Sequence, residues 1–346
     1  MAAQRRSGRV TLHDVAREAG VSIATVSYYL SGRPYVKDST RARVQAAIDK
    51  LGYVANSSAR TLKTGCTGML TLTVASLEQP YYAEFAERVI AAAYRSDYRV
   101  MVESAGFHRG RSGGVEAVRS GMSDGLIVTP TMLRRSDAAL LDGDYPLVMV
   151  GTHPFDPICP EFSVDNVQAA FDATMHLVRS GCRRIAFIGA EPRVPDADQM
   201  VGQQRLEGYR WALREAGMAF DDRLVRSAFI WDMDNGANAV SGLVGARLGI
   251  DGIVVGNDVM ALGVIRRLDN YGIRVPRDVR VIGFDNVQQD RVNIPSVASV
   301  DVGLREVAER AVDSLVRQIR DGRRAAPASV TVAHRVICRE SAPAVQ

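Results

Sequence analysis

Apolar and polar positions change their rhythm once along this chain, near residue 68. Before that point apolar residues recur at helical spacing in short runs. Thr11 precedes Leu12-His13-Asp14-Val15-Ala16-Arg17-Glu18-Ala19, and a Thr with an Asp three residues on marks a helix start with capping-box character. Gly20 supplies the backbone freedom of a tight turn. Ser22 is placed to cap a second helix from Ile23 to about Leu30, with Val26 and Leu30 four apart on its inward face. Ser31-Gly32-Arg33-Pro34 ends that helix, and Asp38 or Ser39 is placed to cap a third that carries Val44, Ile48 and Leu51 on one side. Three short helices with a turn of about three residues between the first two follow the helix-turn-helix plan.

From Gly68 onward short apolar runs alternate with helical stretches. Strands are expected at Met69–Ala75, Tyr98–Glu103, Gly125–Thr129, Leu147–Val150, Arg184–Gly189, Gly252–Val255 and Arg280–Phe284, and amphipathic helices include Tyr82–Arg95 and Leu206–Ala216. Such alternation builds a parallel sheet flanked by helices, and two comparable runs of it argue two subdomains. The expected architecture is an N-terminal helix-turn-helix α domain followed by an α/β body of two parallel-sheet subdomains. Ligands of open α/β sheets sit beyond the carboxyl ends of the strands, so two facing subdomains imply a cleft.

Composition narrows the classes. Of 346 residues, 47% are apolar and 24% charged, a globular balance that excludes a wholly disordered or collagen-like chain. Cys66, Cys159, Cys182 and Cys338 are scattered with no C-x-x-C pair, so neither a zinc site nor a disulfide framework is expected, and no cofactor is implied. No apolar run reaches the length of a membrane span and no signal peptide opens the chain, so a cytoplasmic protein without membrane contact is expected. The net charge of +4 conceals an asymmetry: residues 1–64 hold eleven Lys and Arg against four Asp and Glu, while the remainder is net acidic. All three lysines, Lys37, Lys50 and Lys63, fall in the basic segment. A basic head on a mildly acidic body fits a polyanion partner. Enzyme signatures are missing: there is no G-x-G-x-x-G, P-loop, H-E-x-x-H or G-x-S-x-G, and the five histidines are not paired at metal spacing.

In the head, D-V-A-x-x-A-G-V-S, A-T-V-S, L-G-Y and N-x-x-A-R-x-L fall in sequence over residues 10–65. Together they resemble the DNA-binding head of the lactose-repressor (LacI) family of transcription regulators. The second helix would lie in a major groove with its first residues on base edges. The resemblance places Ile23, Ala24 and Tyr28 at the family's base-reading positions. Ile23 and Ala24 are less polar than the residues often found there; they can contact a thymine methyl, with Ser27 or Tyr28 supplying polar contacts. The alternative for Ile23 is a place in the head's own core. Thr11 lies at the start of the first helix, and Ser22, Thr25 and Thr40 carry hydroxyls suited to phosphate. Asn56 to Lys63 resembles the family's hinge helix. There Leu62 would be the apolar wedge in the minor groove, Ala59 the small residue allowing close approach, and Arg60 the charge for a narrowed groove. An ordinary linker with Leu62 packed on the body is the alternative.

The resemblance continues through SLEQPYYAEF, SDGLIVTP, FSVDN, GCRRIAFIGA, QRLEGYRWAL, GIVVGNDVMALG and VPRDVRVIGFDN. It implies an effector-binding body like a periplasmic binding protein, with chain crossings near 163, 296 and 326. The implied domains are a head at 1–55, hinge and linker at 56–65, an N-subdomain at 66–163 and 296–326, and a C-subdomain at 164–295 and 327–346. The implied effector residues are Tyr81, Tyr82, Arg205, Trp231, Asn257 and Asp285. Each has a plainer alternative: a core place for one of the tyrosines and for Trp231, a surface arginine for Arg205, a turn for Asn257, a loop or cap for Asp285. The chain departs from the family's pattern at Gly151, where an Asp is often found, at Val201, and at Ala75-Ser76. The expectation is a sequence-specific repressor that binds a partly palindromic operator as a homodimer under control of a small-molecule effector, a sugar or other metabolite. A binding protein of the periplasmic type without DNA regulation is the alternative.

Overall fold

The computed structural model describes residues 10–30, 36–53, 65–104, 113–130, 133, 135–153, 155–190, 200–228 and 230–344. The chain divides into two units, Met1–Thr67 and Gly68–Gln346.

The first unit holds three helices, α1 (Leu12–Ala19), α2 (Ile23–Leu30) and α3 (Asp38–Leu51). The Thr11 Oγ1 accepts from the Asp14 amide while an Asp14 carboxylate oxygen accepts from the Thr11 amide, so the capping box forms. Gly20 ends α1 at φ +63°, in the left-handed region that glycine adopts without penalty. The Thr25 amide donates to the Ser22 Oγ at 3.1 Å and caps α2. At α3 neither expected cap operates: Lys37 is the N-cap residue, without a side-chain bond, and Asp38 is already helical. Its carboxylate still lies in the first turn, where the helix dipole favours negative charge. Val15, Val26 and Val44 are fully buried where the helices meet, each contributing about 1.5–3 kcal/mol.

The second unit is two α/β lobes. In chain order it contains β1 (Met69–Val74), α4 (Pro80–Tyr94), β2 (Arg99–Ser104), α5 (Gly113–Arg119), β3 (Gly125–Val128), β4 (Leu147–Val150), β5 (Pro160–Val164), α6 (Asn166–Arg179), β6 (Ile185–Ala190), α7 (Val201–Glu215), β7 (Val225–Ser227), α8 (Met233–Gly245), β8 (Gly252–Val255), α9 (Asp258–Asn270), β9 (Arg280–Phe284), β10 (Ala298–Asp301), α10 (Leu304–Asp321), β11 (Ala328–Val332) and β12 (Arg335–Ile337). One sheet has the order β11-β5-β4-β3-β1-β2 and the other β12-β10-β9-β8-β6-β7. All neighbours run parallel except β12, which is antiparallel to β10. Strands β3, β4 and β8 are buried at every position, which is why they read as unbroken apolar runs. The expected helix at Leu206–Ala216 begins five residues earlier, because Gly202 and Arg205 are buried and extend the inward face.

Two of the three expected crossings fall elsewhere. The first lies at the β5–α6 junction. Residues 298–301, expected in the first lobe, form β10 against β9 of the second sheet. Residues 328–332, expected in the second lobe, form β11 against β5 of the first. The chain therefore changes lobes between β10 and α10 and again between β11 and β12. Packing explains the shift. Val307, Ala311, Val312 and Leu315 of α10 are buried with Leu70, Leu72 and Ile127 of the first lobe. The buried Gln318 side chain adds a donor–acceptor pair to the Leu147 backbone, at 3.1 and 3.2 Å.

Candidate functional site

Two places carry chemistry: the outward face of α2 and the cleft ends of the strands in the body. On α2, Ile23 is 38% exposed and takes no part in the head's apolar core. The core alternative for this side chain is therefore excluded. Ala24 and Tyr28 are exposed beside it, and Thr25, Ser27 and Thr40 are half-buried. Some hydroxyls assigned to phosphate already have partners. Thr11 Oγ1 donates to Asp14 at 2.7 Å, and Ser22 and Thr25 share a hydrogen bond of 2.8 Å. Their first role is to fix the starts of α1 and α2. Asn56, Ala59, Arg60 and Leu62 lie outside the described residues.

In the body, the strand order reverses direction around β1 in one lobe and around β6 in the other, and such switch points open a crevice at the strand ends. Arg205, on α7, is 5% exposed, which excludes the surface alternative. Its Nε donates to Asn166 Oδ1 at 3.0 Å and its Nη1 donates to the Gly256 carbonyl. The guanidinium carbon lies 4.1 Å from the Phe284 ring centroid and 5.7 Å from that of Trp231. Asn166 in turn donates to Gln204 Oε1 at 3.2 Å and Thr152 Oγ1 at 3.3 Å, tying α6 and α7 to the end of β4. The motif F-S-V-D-N contained Asn166, but its bond to Arg205 spans 39 positions and has no local signal.

Asn257 fills the structural place that was the alternative for it. It caps α9, accepting from the Met260 amide at 2.9 Å, and its Nδ2 donates to the Trp231 carbonyl at 3.3 Å. Trp231 packs on the second lobe's apolar core, and its Nε1 donates to the Ala228 carbonyl at 3.1 Å. A Cβ on Gly256 would stand 3.2 Å from the indole, so the absence of a side chain there lets the ring approach the backbone. Gln79, just before α4, donates to the same Trp231 carbonyl at 3.0 Å, and Glu84 of α4 accepts from the Gln288 amide at 2.9 Å. These two bonds link the lobes across the cleft.

Tyr81 and Tyr82 meet edge to face with ring centroids 5.1 Å apart. Tyr82 packs on the first lobe's core, as expected for one of the pair. Burial raises the Tyr81 hydroxyl well above its ordinary pKa, Asp285 and Tyr82 add to this, and Arg205 opposes it. Tyr81, Arg205 and Asp285 thus act on one another at the cleft. Asp285 follows β9 with φ +108° and Asn286 follows with φ +57°, two consecutive non-glycine residues in a costly backbone region. The Asp285 carboxyl is pushed up to about 7 by burial; Arg205 pulls it down, while Asp290 and Glu84 push it up. Gly151, where the family often has an Asp, sits at φ +109°, a geometry that favours glycine over a carboxylate residue. Among the described residues no cluster of His, Cys, Asp and Glu could hold a metal ion, and no helix is long and apolar enough to cross a membrane.

Residues 11–56 match the model of bacterial regulatory proteins of the lacI family, and residues 174–342 match a periplasmic binding protein-like domain. Catabolite control protein A of Priestia megaterium is 32% identical over 294 residues, covering 84% of this chain and 87% of that protein. The chain belongs to the LacI family. The ribose operon repressor of Escherichia coli is 29% identical over 89% of this chain and 93% of its own length. Among solved structures, the transcriptional regulator CelR–cellobiose complex is 30% identical, covers 96% of this chain and all of its own, and superposes with a TM-score of 0.68. The lac repressor dimer bound to operator and the anti-inducer ONPF shares the fold at a TM-score of 0.83 and 22% identity, over 97% of this chain and all of its own. This LacI-family chain is accordingly a DNA-binding transcription regulator with a helix-turn-helix head.

Proposed function

We propose that this regulator is a cytoplasmic repressor that binds a partly palindromic operator as a homodimer, and that a neutral, hydroxylated metabolite in the body's cleft sets its operator affinity. The observation that carries this reading is the union in one chain of the LacI-type head and a two-lobed body of the periplasmic-binding type. A binding protein without DNA regulation would have no use for a head of three packed helices.

The chemistry of each site supports specific roles. Ile23 and Ala24 offer apolar contact to a thymine methyl, Tyr28 and Ser27 offer polar contact, and Thr25, Thr40 and the first turns of the helices that start at Thr11 and Ser22 face phosphates. Leu62, flanked by Asn56, Ala59 and Arg60, serves as the minor-groove wedge. Two half-sites mirror a protein two-fold. Leu77, Ile90 and Tyr94 lie exposed on and beside α4, an apolar face suited to a second copy.

In the cleft, Asp285 accepts from ligand hydroxyls, and Tyr81 and Asn257 can donate or accept. Trp231 supplies an apolar wall, on which sugar rings pack well, while the buried Phe284 backs Arg205 from behind. Arg205 is already bonded to Asn166 and Gly256, so it orients the site and offsets the Asp285 charge rather than standing ready for a ligand carboxylate. The neighbour solved with cellobiose and the relative named for ribose favour a sugar. Control requires only that the ligand bind one lobe arrangement better than the other, a coupling typically worth about 1–3 kcal/mol.

The test is selection of bound DNA from a random pool at fixed salt, because phosphate contacts make affinity salt-dependent. The selection is run with and without a mixture of sugars. A palindromic winner whose retention changes with the mixture is expected. No enrichment in either condition would refute the operator-binding reading.

A further inference from the structure

Beneath the Asp285 loop lie two carboxyl groups that the cleft chemistry does not use. Asp258, the first residue of α9, and Asp290, in the turn after Asp285, both have zero solvent exposure. Asp258 Oδ2 accepts from the Ser299 Oγ at 2.8 Å and from the Val287 amide at 3.3 Å. Its Oδ1 has no donor, and neither Asp290 carboxyl oxygen has one. Each of the two buried carboxyls acts on the other. Three carboxyl oxygens without a donor at zero exposure are costly while both groups are ionised. A proton on Oδ1 of Asp258, whose Oδ2 already accepts two bonds, would supply Asp290 with the donor it lacks. The nearby cation is Arg339, whose Nη1 is 3.9 Å from Asp290 and whose other bonds go to the Val297 carbonyl and Asn286 Oδ1.

We propose that Asp258 and Asp290 share one buried proton that fastens the 285–297 segment onto α9 and β10, making the seating of the Asp285 loop proton-linked. Several of the segment's bonds converge here, beside separate anchors at Gln288, Ser296 and Arg339. Val287 bonds Asp258, Asn286 bonds Ser299 Oγ at 2.9 Å, and the Val297 amide donates to the Asp290 carbonyl at 2.8 Å. The strained backbone at Asp285 and Asn286 persists because these bonds over-determine it. The groups that face the pair are Asp285, Glu84 and Arg339, with Arg205 beyond Asp285. Burial is the first cause that raises Asp290 to about 6, Asp285 to about 7, and Asp258 well above the usual carboxylate range. The seated loop binds the proton more tightly than the released loop does. Release is therefore favoured as pH rises, and seating is complete on the acid side. This holds whatever molecule fills the cleft.

The experiment compares Asp285→Asn with Asp285→Asn/Asp258→Asn in the full-length chain, so that Asp285 itself does not titrate. Hydrogen exchange of the Val287 and Val297 amides, corrected for intrinsic exchange, is followed from about pH 6 to about pH 9. One shared proton predicts that protection in the first variant falls by up to about tenfold per pH unit. In the second, the carboxamide introduced at position 258 can donate to Asp290 permanently, and protection stays flat. Asp290→Asn in the same background provides a second variant that removes the pair's charge conflict and also flattens the profile. A pH profile unchanged by either substitution, or one that is flat already in Asp285→Asn, overturns the proposal. A merely structural role for Asp258 would lower protection equally at every pH and leave the slope intact.

Discussion

Replacing Arg205 by Met removes a cation whose surroundings were built around it. The Arg205 Nε–Asn166 bond and the Nη1–Gly256 bond are both charge-assisted and buried, and such bonds contribute about 1.5–3 kcal/mol each. The guanidinium 4.1 Å from the Phe284 centroid adds a desolvated cation–π contact of about 1–2 kcal/mol. Met recovers part of the apolar packing but leaves the Gly256 carbonyl and Asn166 Oδ1 without donors in a buried site. A net loss of about 3–5 kcal/mol is expected, the lost bonds and cation–π contact less the packing that Met recovers. Both tryptophans, Trp211 and Trp231, lie in the second lobe, so urea unfolding followed by fluorescence reports on the right part of the molecule. The same substitution withdraws the positive charge that holds Asp285 down, so the Asp285 carboxyl should titrate above its present value of about 7. Stability contributed by a group with a raised folded pKa is present at low pH and lost as pH rises. The variant should therefore come closest to wild type below about pH 5 and diverge from it as pH passes through about 7. A loss under about 1 kcal/mol with no change in the pH profile would refute the assignment of Arg205 as the organising charge of the cleft.

Three other outcomes are expected. Leu62→Ala should weaken operator binding by at least about tenfold in a gel-shift assay, because an unstacked base step needs the wedge to hold it open; unchanged affinity would remove that role. Asp285→Asn should leave operator binding intact and abolish its response to the sugar mixture, and a variant that still responds would move the ligand to other residues. Gly208→Ala would place a Cβ 2.0 Å from the Val167 carbonyl oxygen, forcing α6 and α7 apart there. Overpacking of this kind costs about 1–3 kcal/mol, read as a lower urea midpoint, and an unchanged midpoint would mean that the helices separate without penalty.

The candidate site was only partly legible in the chain. Asp285 is legible as a candidate because it closely follows an apolar strand, where α/β sheets expose their ligand-facing loops, and Asn257 through the G-N-D motif of the resemblance. Arg205 was found by resemblance, but its burial was not, since an arginine on a helix start reads as surface. Asn166, Phe284 and Gln79 were missed as partners: their contacts with Arg205 and Trp231 join segments far apart in the chain, and no periodicity encodes them. Asp290 gave no sign of its burial, because a polar run such as Val287-Gln288-Gln289-Asp290 reads as a solvated turn.

By itself the sequence determined what depends on neighbours a few residues apart. Capping of α1 and α2, the left-handed turn at Gly20, the inward rows of the head and the strand–helix alternation of the body all follow from short-range sterics and hydrogen bonding. The tertiary structure decided what depends on closure between distant segments. It placed β10 in the second sheet and β11 in the first, because α10 could bury Val312 and Leu315 only against the first lobe. It brought Tyr81, Arg205 and Asp285 to one cleft and set Asp258 against Asp290. The physical reason is the same throughout: a buried charge or an apolar face is committed only when its partner arrives, and that partner lies where the chain returns rather than where it began.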